Sequence, residues 1–430
     1  MLIRGWFGLR TIALQSVGCK LNQAEIESLT LSFLDAGYQV VSPDCAADIY
    51  LLNTCTVTHV ADRKCRKLLR AAHRRNQWSL IVATGCYAER SPAEVGDMEG
   101  VGLVVGNRDK EQLLEMVTAR DKANKACGWS DRWQKPQLRT RGLVKIQDGC
   151  SQPCSFCIVP RVRGREQSWP QSEVIADIKA KVEEGYNEVV LTGTRIGSYD
   201  DGGLQGLIMR ILNETHVSRL RLSSLEPGDI TPEFLKVWEN DRCCPHIHLP
   251  LQSGSDSVLE RMRRSYSSAD YERAVSLARE AIHDLALTTD VMVGFPDESE
   301  KEFEESYRFC ELIGFARMHV FPYSARPSTP AAKMADRVEE CVKRERSKIM
   351  IAMAQKSAQR FRQQFLGQST SVLWERESGG VWVGHSDNYL KVFSSSKEPL
   401  HNCLLATKLV REHNDGLWGE SEAKVICQNY

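Results

Sequence analysis

Residues 142–166 read GLVKIQDGCSQPCSFCIVPRVRGRE. An apolar run ends in a polar turn, and Cys150, Cys154 and Cys157 follow in CxxxCxxC spacing. Three thiolates this close can hold three irons of a 4Fe-4S cube and leave the fourth iron open, which a fully cysteine-ligated electron-transfer cluster does not do. The competing reading is a zinc knuckle, yet structural zinc takes four ligands in paired spacing and no partner pair is visible. The run before the cysteines opens a series. From residue 142 to about residue 318, six strand-sized apolar runs (GLVKIQ, EVVLTG, RLRLSS, HIHLPL, ALTTDVMVG and ARMHVFPY) alternate with helix-sized segments. Six parallel strands predict a partial (β/α)6 barrel, with the thiols in the loop after its first strand.

Upstream, Thr11 to about Ala119 follows the same alternation. TIALQSVGC is followed by a helix through Ile26, Leu29, Phe33 and Leu34, and DIYLLNTC by a helix from about Val60 to Arg75. SLIVATGC, VGLVVGN and a helix through Leu113, Leu114 and Val117 complete the pattern. This predicts an open parallel α/β sheet with crossover helices. Three of these runs end in a cysteine: Cys19, Cys55 and Cys86. Ligands of open parallel sheets gather beyond the carboxyl ends of the strands, so three cysteines there can converge, although buried free cysteine more often just fills space. The remaining cysteines, Cys65 and Cys403 among them, share no such arrangement and are assigned to core or surface. Residues 121–137 are polar, contain Trp129, Trp133 and Pro136, and read as a linker. A long charged helix from Arg337 to Phe365 precedes a change of pattern. From residue 367 to 430, turn residues separate strand-like runs such as TSVLWE, VWVGH, NYLKVF and CLLATKLV, which predicts a small β-barrel or sandwich.

Composition bounds the function. The 430 residues carry 56 Lys+Arg against 56 Asp+Glu, with 42% hydrophobic and 26% charged residues, which excludes pure disorder. No apolar run approaches the roughly 20 residues of a spanning helix, and Met1 to Gly18 does not read as a signal peptide. A cytoplasmic protein without membrane contact is expected. There, fifteen cysteines point to metal or chemistry rather than structural disulfides.

GCKLNQAEIES, NTCTVTHVADRKCRKLLR and TGCYAER resemble the three cysteine motifs of the methylthiotransferase N-terminal domain, and GCSQPCSFCIVPRVRGRE resembles the radical SAM signature of the same family. WVGHSDNYLKV is similar to part of the family's C-terminal TRAM domain, although His385-Ser386 stands where the family carries His-Thr. Within the family, GCKLN and NTCTVTHVADRK resemble the MtaB type, which modifies threonylcarbamoyl adenosine at tRNA position 37. The resemblance implies a methylthiotransferase N-terminal domain over 9–120, a radical SAM domain over 138–366 and a TRAM domain over 367–430. It further implies two 4Fe-4S clusters, on Cys150, Cys154 and Cys157 and on Cys19, Cys55 and Cys86. Two S-adenosylmethionines would be consumed per turnover, the cofactors carrying the hard chemistry. Expected partners are a tRNA anticodon stem-loop and a reductant such as flavodoxin or ferredoxin, with the enzyme a monomer. Alternatives are isopentenyl adenosine of tRNA or a ribosomal-protein aspartate as acceptor and, in another class, a non-catalytic iron–sulfur RNA-binding protein.

The family pattern places S-adenosylmethionine contacts at strand ends: Thr192 and Gly193, Ser224 and Glu226, Gln252 and Gly254, and Gly294, where a missing Cβ would admit adenine or ribose. A turn glycine or a helix cap is the plain alternative at each. For RNA, Arg63, Lys67, Arg70 and Arg74 make a basic stripe at helical spacing, which solvent alone could equally explain. Arg161, Arg163 and Arg165 suit substrate phosphate or the adenosylmethionine carboxylate, with structural ion pairing as the other reading. Residues 367–430 contain 6 Lys+Arg and 8 Asp+Glu, so charge does not recommend them as an RNA clamp. His385, Asn388, Tyr389 and Lys391 could still stack and bond, or Tyr389 could be core.

Overall fold

The computed structural model describes residues 10–122, 140–335 and 337–421. Nearly all of the 121–137 stretch read as a linker, with Cys127 and Cys427, lies outside the described residues.

The first unit is a five-stranded parallel sheet of order β2-β1-β3-β4-β5, comprising β1 (Thr11–Ser16), β2 (Gln39–Val41), β3 (Ile49–Thr54), β4 (Leu80–Gly85) and β5 (Val101–Val105). The three-residue edge strand β2 was not expected from the sequence. It is too short to show a period-two pattern. Crossover helices α1 (Lys20–Asp35), α2 (His59–Arg75), α3 (Cys86–Arg90), α4 (Pro92–Gly96) and α5 (Leu113–Lys122) cover both faces. Phe33, Leu113 and Val117 pack on one face, and Leu69, Ala72, Tyr87 and Val95 on the other. Thr58 caps α2 by accepting from the Ala61 amide at 3.1 Å, which fixes where the chain turns after Cys55.

The second unit is the partial barrel. Its strands are β6 (Arg141–Lys145), β9 (Glu188–Thr192), β10 (Arg219–Leu222), β11 (His246–His248), β12 (Ala286–Val293) and β13 (Arg317–Pro322), joined across β10 and β11 by the bridges Leu220–Cys243 and Ser224–His248. A two-residue pair, β7 (Gln147–Asp148) with β8 (Gln167–Ser168), closes the base of the cysteine loop. Helices α6 (Val159–Val162) through α13 (Glu340–Gln363) follow the strands. Alternation along the strands divides the residues. Val189, Leu191, Leu220, Leu222, Leu287 and Val291 point outward into the main core with Ile178, Ile208, Ile211 and Phe303 of the helices. The inward set is mostly polar (Arg141, Lys145, Glu188, Arg219, Arg221, His246, His248 and Asp290), with Leu143 and Val190 as apolar members that meet Ala24 of α1. An interior of this kind is built to hold a ligand, unlike the packed centre of a complete barrel.

The third unit is a closed barrel of order β14-β15-β16-β18-β17: β14 (Ser369–Ser378), β15 (Val381–Ser386), β16 (Lys391–Ser394), β17 (Leu404–His413) and β18 (Gly416–Ser421). Between barrel and sandwich the structure selects the barrel. Closure comes from the parallel pairing of β16 with β18, a strand the sequence did not announce. Cys403, expected as core or surface, is disulfide-bonded.

Candidate iron–sulfur centres and their surroundings

Cys19 is the N-cap of α1, Cys55 directly follows β3, and Cys86 opens α3. All three lie at the carboxyl edge of the first sheet, at turns where strand passes to helix. They converge. Burial pushes the Cys55 thiol up to about 12, and the closeness of Cys86, Cys19 and Cys65 adds to the push. Gly18 is part of the construction: it has φ +104°, and a Cβ there would stand 2.6 Å from the Cys55 sulfur. Asn107 donates to the Cys86 sulfur at 3.6 Å, while its own Oδ1 and the nearby Thr84 Oγ1 are buried without a partner.

Cys150, Cys154 and Cys157 occupy the loop above β7. Burial pushes the Cys157 thiol up to about 12, with Cys154 and Cys150 adding to it. Arg264 donates to the Cys154 sulfur at 3.3 Å and also to Glu226, so one guanidinium ties the cysteine loop to the end of β10. Burial favours the protonated form of Cys150 and Cys157 until a cationic centre takes the proton's place. Among the described residues no three His, Cys, Asp or Glu side chains converge as a single ion would require. A cubane asks for something different, one thiolate on each of three irons. Both triads fit that group.

The two triads face each other across a buried ionic network. Glu25 of α1 accepts from Lys110 at 2.7 Å, Lys145 at 3.0 Å and Arg163 at 3.0 Å, and Asp148 pairs with Lys145 at 2.7 Å and Arg163 at 2.8 Å. Burial pushes the Glu25 carboxyl up, but Lys110, Arg163 and Lys145 outweigh it and hold it well below the usual range. Arg163 also donates to Asn22 at 2.5 Å and lies close enough to Cys86 and Cys19 to feel both thiols. A second link crosses beside Cys55. Arg326, from the loop after β13, donates to Thr56 O at 2.8 Å and Asp62 at 2.9 Å. Of the three arginines after the radical-type cysteines, Arg163 is therefore a buried structural ion pair, and only Arg161 and Arg165 are exposed.

At the strand ends, Thr192 is buried, and Gly193 is held against Gln147, whose backbone oxygen a Cβ would meet at 2.9 Å. Ser224 bridges to His248, and Glu226 accepts from Arg264. Gln252 is buried at φ +65° with an unpartnered Oε1, a polar atom open to a ligand. The two glycines differ from the sequence expectation. A Cβ at Gly254 would meet Phe309 at 2.7 Å, and one at Gly294 would meet Lys343 at 2.4 Å. Their missing side chains make room for α12 (Glu300–Ile313) and α13. Arg63, Lys67, Arg70 and Arg74 are all exposed along α2.

The third unit docks on the opposite end of the partial barrel. Tyr389 is half-buried at φ +66° with Arg221 stacked 3.8 Å above its ring, and its hydroxyl accepts from Arg141 at 2.7 Å. Arg221 is fully buried on Glu188 at 2.7 Å and donates to Asp387 O at 2.7 Å. Asn388 is buried on Ser386, and His385 bonds Glu375 at 2.8 Å. The segment read for RNA stacking is thus largely an interdomain plug. Sequence reasoning missed Glu25, Arg264 and Arg326, since isolated charged residues carry no local pattern.

Residues 144–310 match the Radical SAM superfamily, and residues 11–106 match Uncharacterized protein family UPF0004. The Threonylcarbamoyladenosine tRNA methylthiotransferase MtaB of Bacillus subtilis (strain 168) is 36% identical, covering 95% of this chain and 96% of its own. The chain belongs to the radical SAM methylthiotransferase family. A tRNA-2-methylthio-N(6)-dimethylallyladenosine synthase of Methylacidiphilum infernorum (isolate V4) is 31% identical over 86% of this chain and 85% of its own. The fold is also that of the radical S-adenosylmethionine methyltransferase TsrM from Kitasatospora setae, whose structure was solved with cobalamin and a 4Fe-4S cluster bound. It has a TM-score of 0.55 at 15% identity over 76% of this chain and 74% of that one. No helix among the described residues is long and apolar enough to cross a membrane.

Proposed function

We propose that this methylthiotransferase adds a methylthio group to carbon 2 of threonylcarbamoyl adenosine at tRNA position 37. The observation that carries the reading is the pair of thiol triads facing each other across the Glu25–Arg163–Asp148 network, in a chain that aligns almost end to end with relatives named for this activity. Cys150, Cys154 and Cys157 hold one 4Fe-4S cluster, and Cys19, Cys55 and Cys86 hold a second. When bound, these clusters and two S-adenosylmethionines per turnover supply a 5′-deoxyadenosyl radical, the sulfur and its methyl group. The chain's own residues position the chemistry. Arg264 offsets the charge of the Cys154 thiolate, and Gln252 Oε1, Thr192, Gly193, Ser224 and Glu226 line the cofactor end of the barrel. Gly254 and Gly294 shape that end by admitting helices.

The division of labour follows 9–120, 138–366 and 367–430, with the last unit a TRAM domain. Arg63, Lys67, Arg70 and Arg74, with Arg161 and Arg165, meet phosphates of the anticodon stem-loop. A flavodoxin or ferredoxin is the reductant, and the enzyme works as a cytoplasmic monomer. Nucleoside mass spectrometry tests the reading, using tRNA incubated anaerobically with reconstituted protein, reductant and adenosylmethionine. A methylthio mass on threonylcarbamoyl adenosine alone supports it. A methylthio mass on isopentenyl adenosine instead moves the substrate to that of the synthase-type relatives.

A further inference from the structure

One inner face of the partial barrel is used neither by the thiol triads nor by the interdomain contacts. β13 pairs with β12 alone among the described strands. Its inward residues are Arg317, His319 and Phe321, in register with Thr288, Asp290 and Met292 of β12. Of the inward charges of the first three strands, Glu188, Arg219 and Arg221 are buried and Arg141 and Lys145 half-buried and ion-paired, whereas Arg317 and His319 are exposed. Behind them Asp290 is gripped from both sides. His319 Nδ1 approaches one carboxylate oxygen at 3.4 Å and His248 Nε2 the other at 3.6 Å, while His248 Nδ1 lies 3.0 Å from Thr288 Oγ1. The His319 ring lies 5.5 Å from that of Phe321. Among the described residues no carboxylate comes within ion-pair distance of the Arg317 guanidinium.

Strand geometry orders these groups. Two residues advance about 6.6 Å, so Phe321 stands nearest the cofactor end, His319 with Asp290 one step deeper, and Arg317 a further step down. From the top, the face offers an aromatic ring, a hydrogen-bonding imidazole–carboxylate pair and an uncompensated, fork-shaped cation. A purine that bears on N6 a polar arm ending in a carboxylate presents the complementary order.

We propose that the inner face of β13 is the specificity wall for the substrate nucleoside: the purine stacks on Phe321, the N6 arm passes His319 and Asp290, and Arg317 receives the terminal carboxylate. The inference rests on threonylcarbamoyl adenosine being the substrate. An apolar isopentenyl arm would give Arg317 no partner while displacing its water, so one residue both favours the right arm and penalises the wrong one.

Binding separates this from its competitors. Two anticodon stem-loops of identical sequence, one with threonylcarbamoyl adenosine and one with isopentenyl adenosine at position 37, are titrated against full-length wild type, Arg317→Met and Arg317→Lys. Circular dichroism melts check that the folds match. The expected result is a wild-type preference for the first loop, a loss of roughly tenfold on that loop alone in Arg317→Met, and partial retention in Arg317→Lys. Equal weakening of both loops by Arg317→Met marks a phosphate contact and overturns the proposal. So does an unchanged preference. A wild type that binds both loops alike overturns the substrate reading itself, whatever the variants do.

Discussion

Glu25→Gln removes one charge from the network between the two triads and keeps its shape. Three cations share two carboxylates there. After the substitution Lys145 and Arg163 retain Asp148, at 2.7 and 2.8 Å. Lys110 is left without a carboxylate, with only neutral acceptors such as the Asn53 Oδ1 at 3.3 Å beside it. Its side chain is 11% exposed, too little for water to replace the lost carboxylate. Breaking a buried pair from one side costs roughly 3–5 kcal/mol. At about 4–8 °C per kcal/mol for a unit near 100 residues, the first thermal transition falls by about 12–40 °C. Burial already pushes the Lys110 ammonium down, so in the variant it sheds its proton more easily and the loss shrinks as pH rises. Calorimetry on full-length wild type, Glu25→Gln, Lys110→Met and the double variant measures this. The double variant returns the network to the wild type's excess of one cation, with Lys145 and Arg163 both on Asp148, and should recover at least half of the loss. A single-variant drop under about 1 kcal/mol, or a double variant as unstable as the summed singles, would refute the reasoning.

The proposed roles of the triads separate in Cys154→Ala, which should abolish adenosylmethionine cleavage, and Cys55→Ala, which should spare cleavage but yield no methylthio nucleoside; chromatography of 5′-deoxyadenosine and nucleosides reads both. Charge reversal at Arg63, Lys67, Arg70 and Arg74 should weaken anticodon stem-loop binding and flatten its salt dependence by roughly 0.7–0.9 log units for each phosphate no longer neutralised. Arg221, opposing the upward push of burial, holds the Glu188 carboxyl at about 2 against an ordinary 4.5. The folded value is depressed, so this stabilisation is fully present above pH 4.5 and is lost as pH falls through 2. The partial barrel, which holds both partners of the pair, should therefore lose up to about 3 kcal/mol of stability on acidification, a slope that Glu188→Gln should flatten in thermal melts.

Most of the architecture was legible because it is written locally. Cys19, Cys55 and Cys86 could be placed since each ends a run whose alternation or apolar continuity marks a parallel strand, and position at the strand end does the rest. The edge strand β2 was hidden because three residues carry no period, and β18 because GLWGES has the composition of a turn. Arg163 illustrates the deeper limit. Its sequence neighbours suggest a phosphate-facing row, but its role is set by Glu25 and Asp148, which are 138 and 15 residues away in the chain. Gly254 and Gly294 show the same limit in reverse. A missing Cβ is visible in the sequence, but what fills the space is not, and here it is a helix.

The docked domains also give the barrel a direction. α1 lies against the inner side of β6 and β9 through Ala24, Leu143 and Val190, so the first sheet closes that flank. The plug around Tyr389 closes the base at Arg141, Glu188 and Arg221. The cysteine loop and Arg264 occupy the top. What remains open is the flank at β13, where Arg317 and His319 are exposed. A substrate that must reach the interior without unfolding either contact enters there. The buried side of α2 is tied to the loop after β13 through Arg326, which bonds Asp62. A third unit that plugs the base through Arg141, Glu188 and Arg221 can thus support the barrel without lying at its exposed flank.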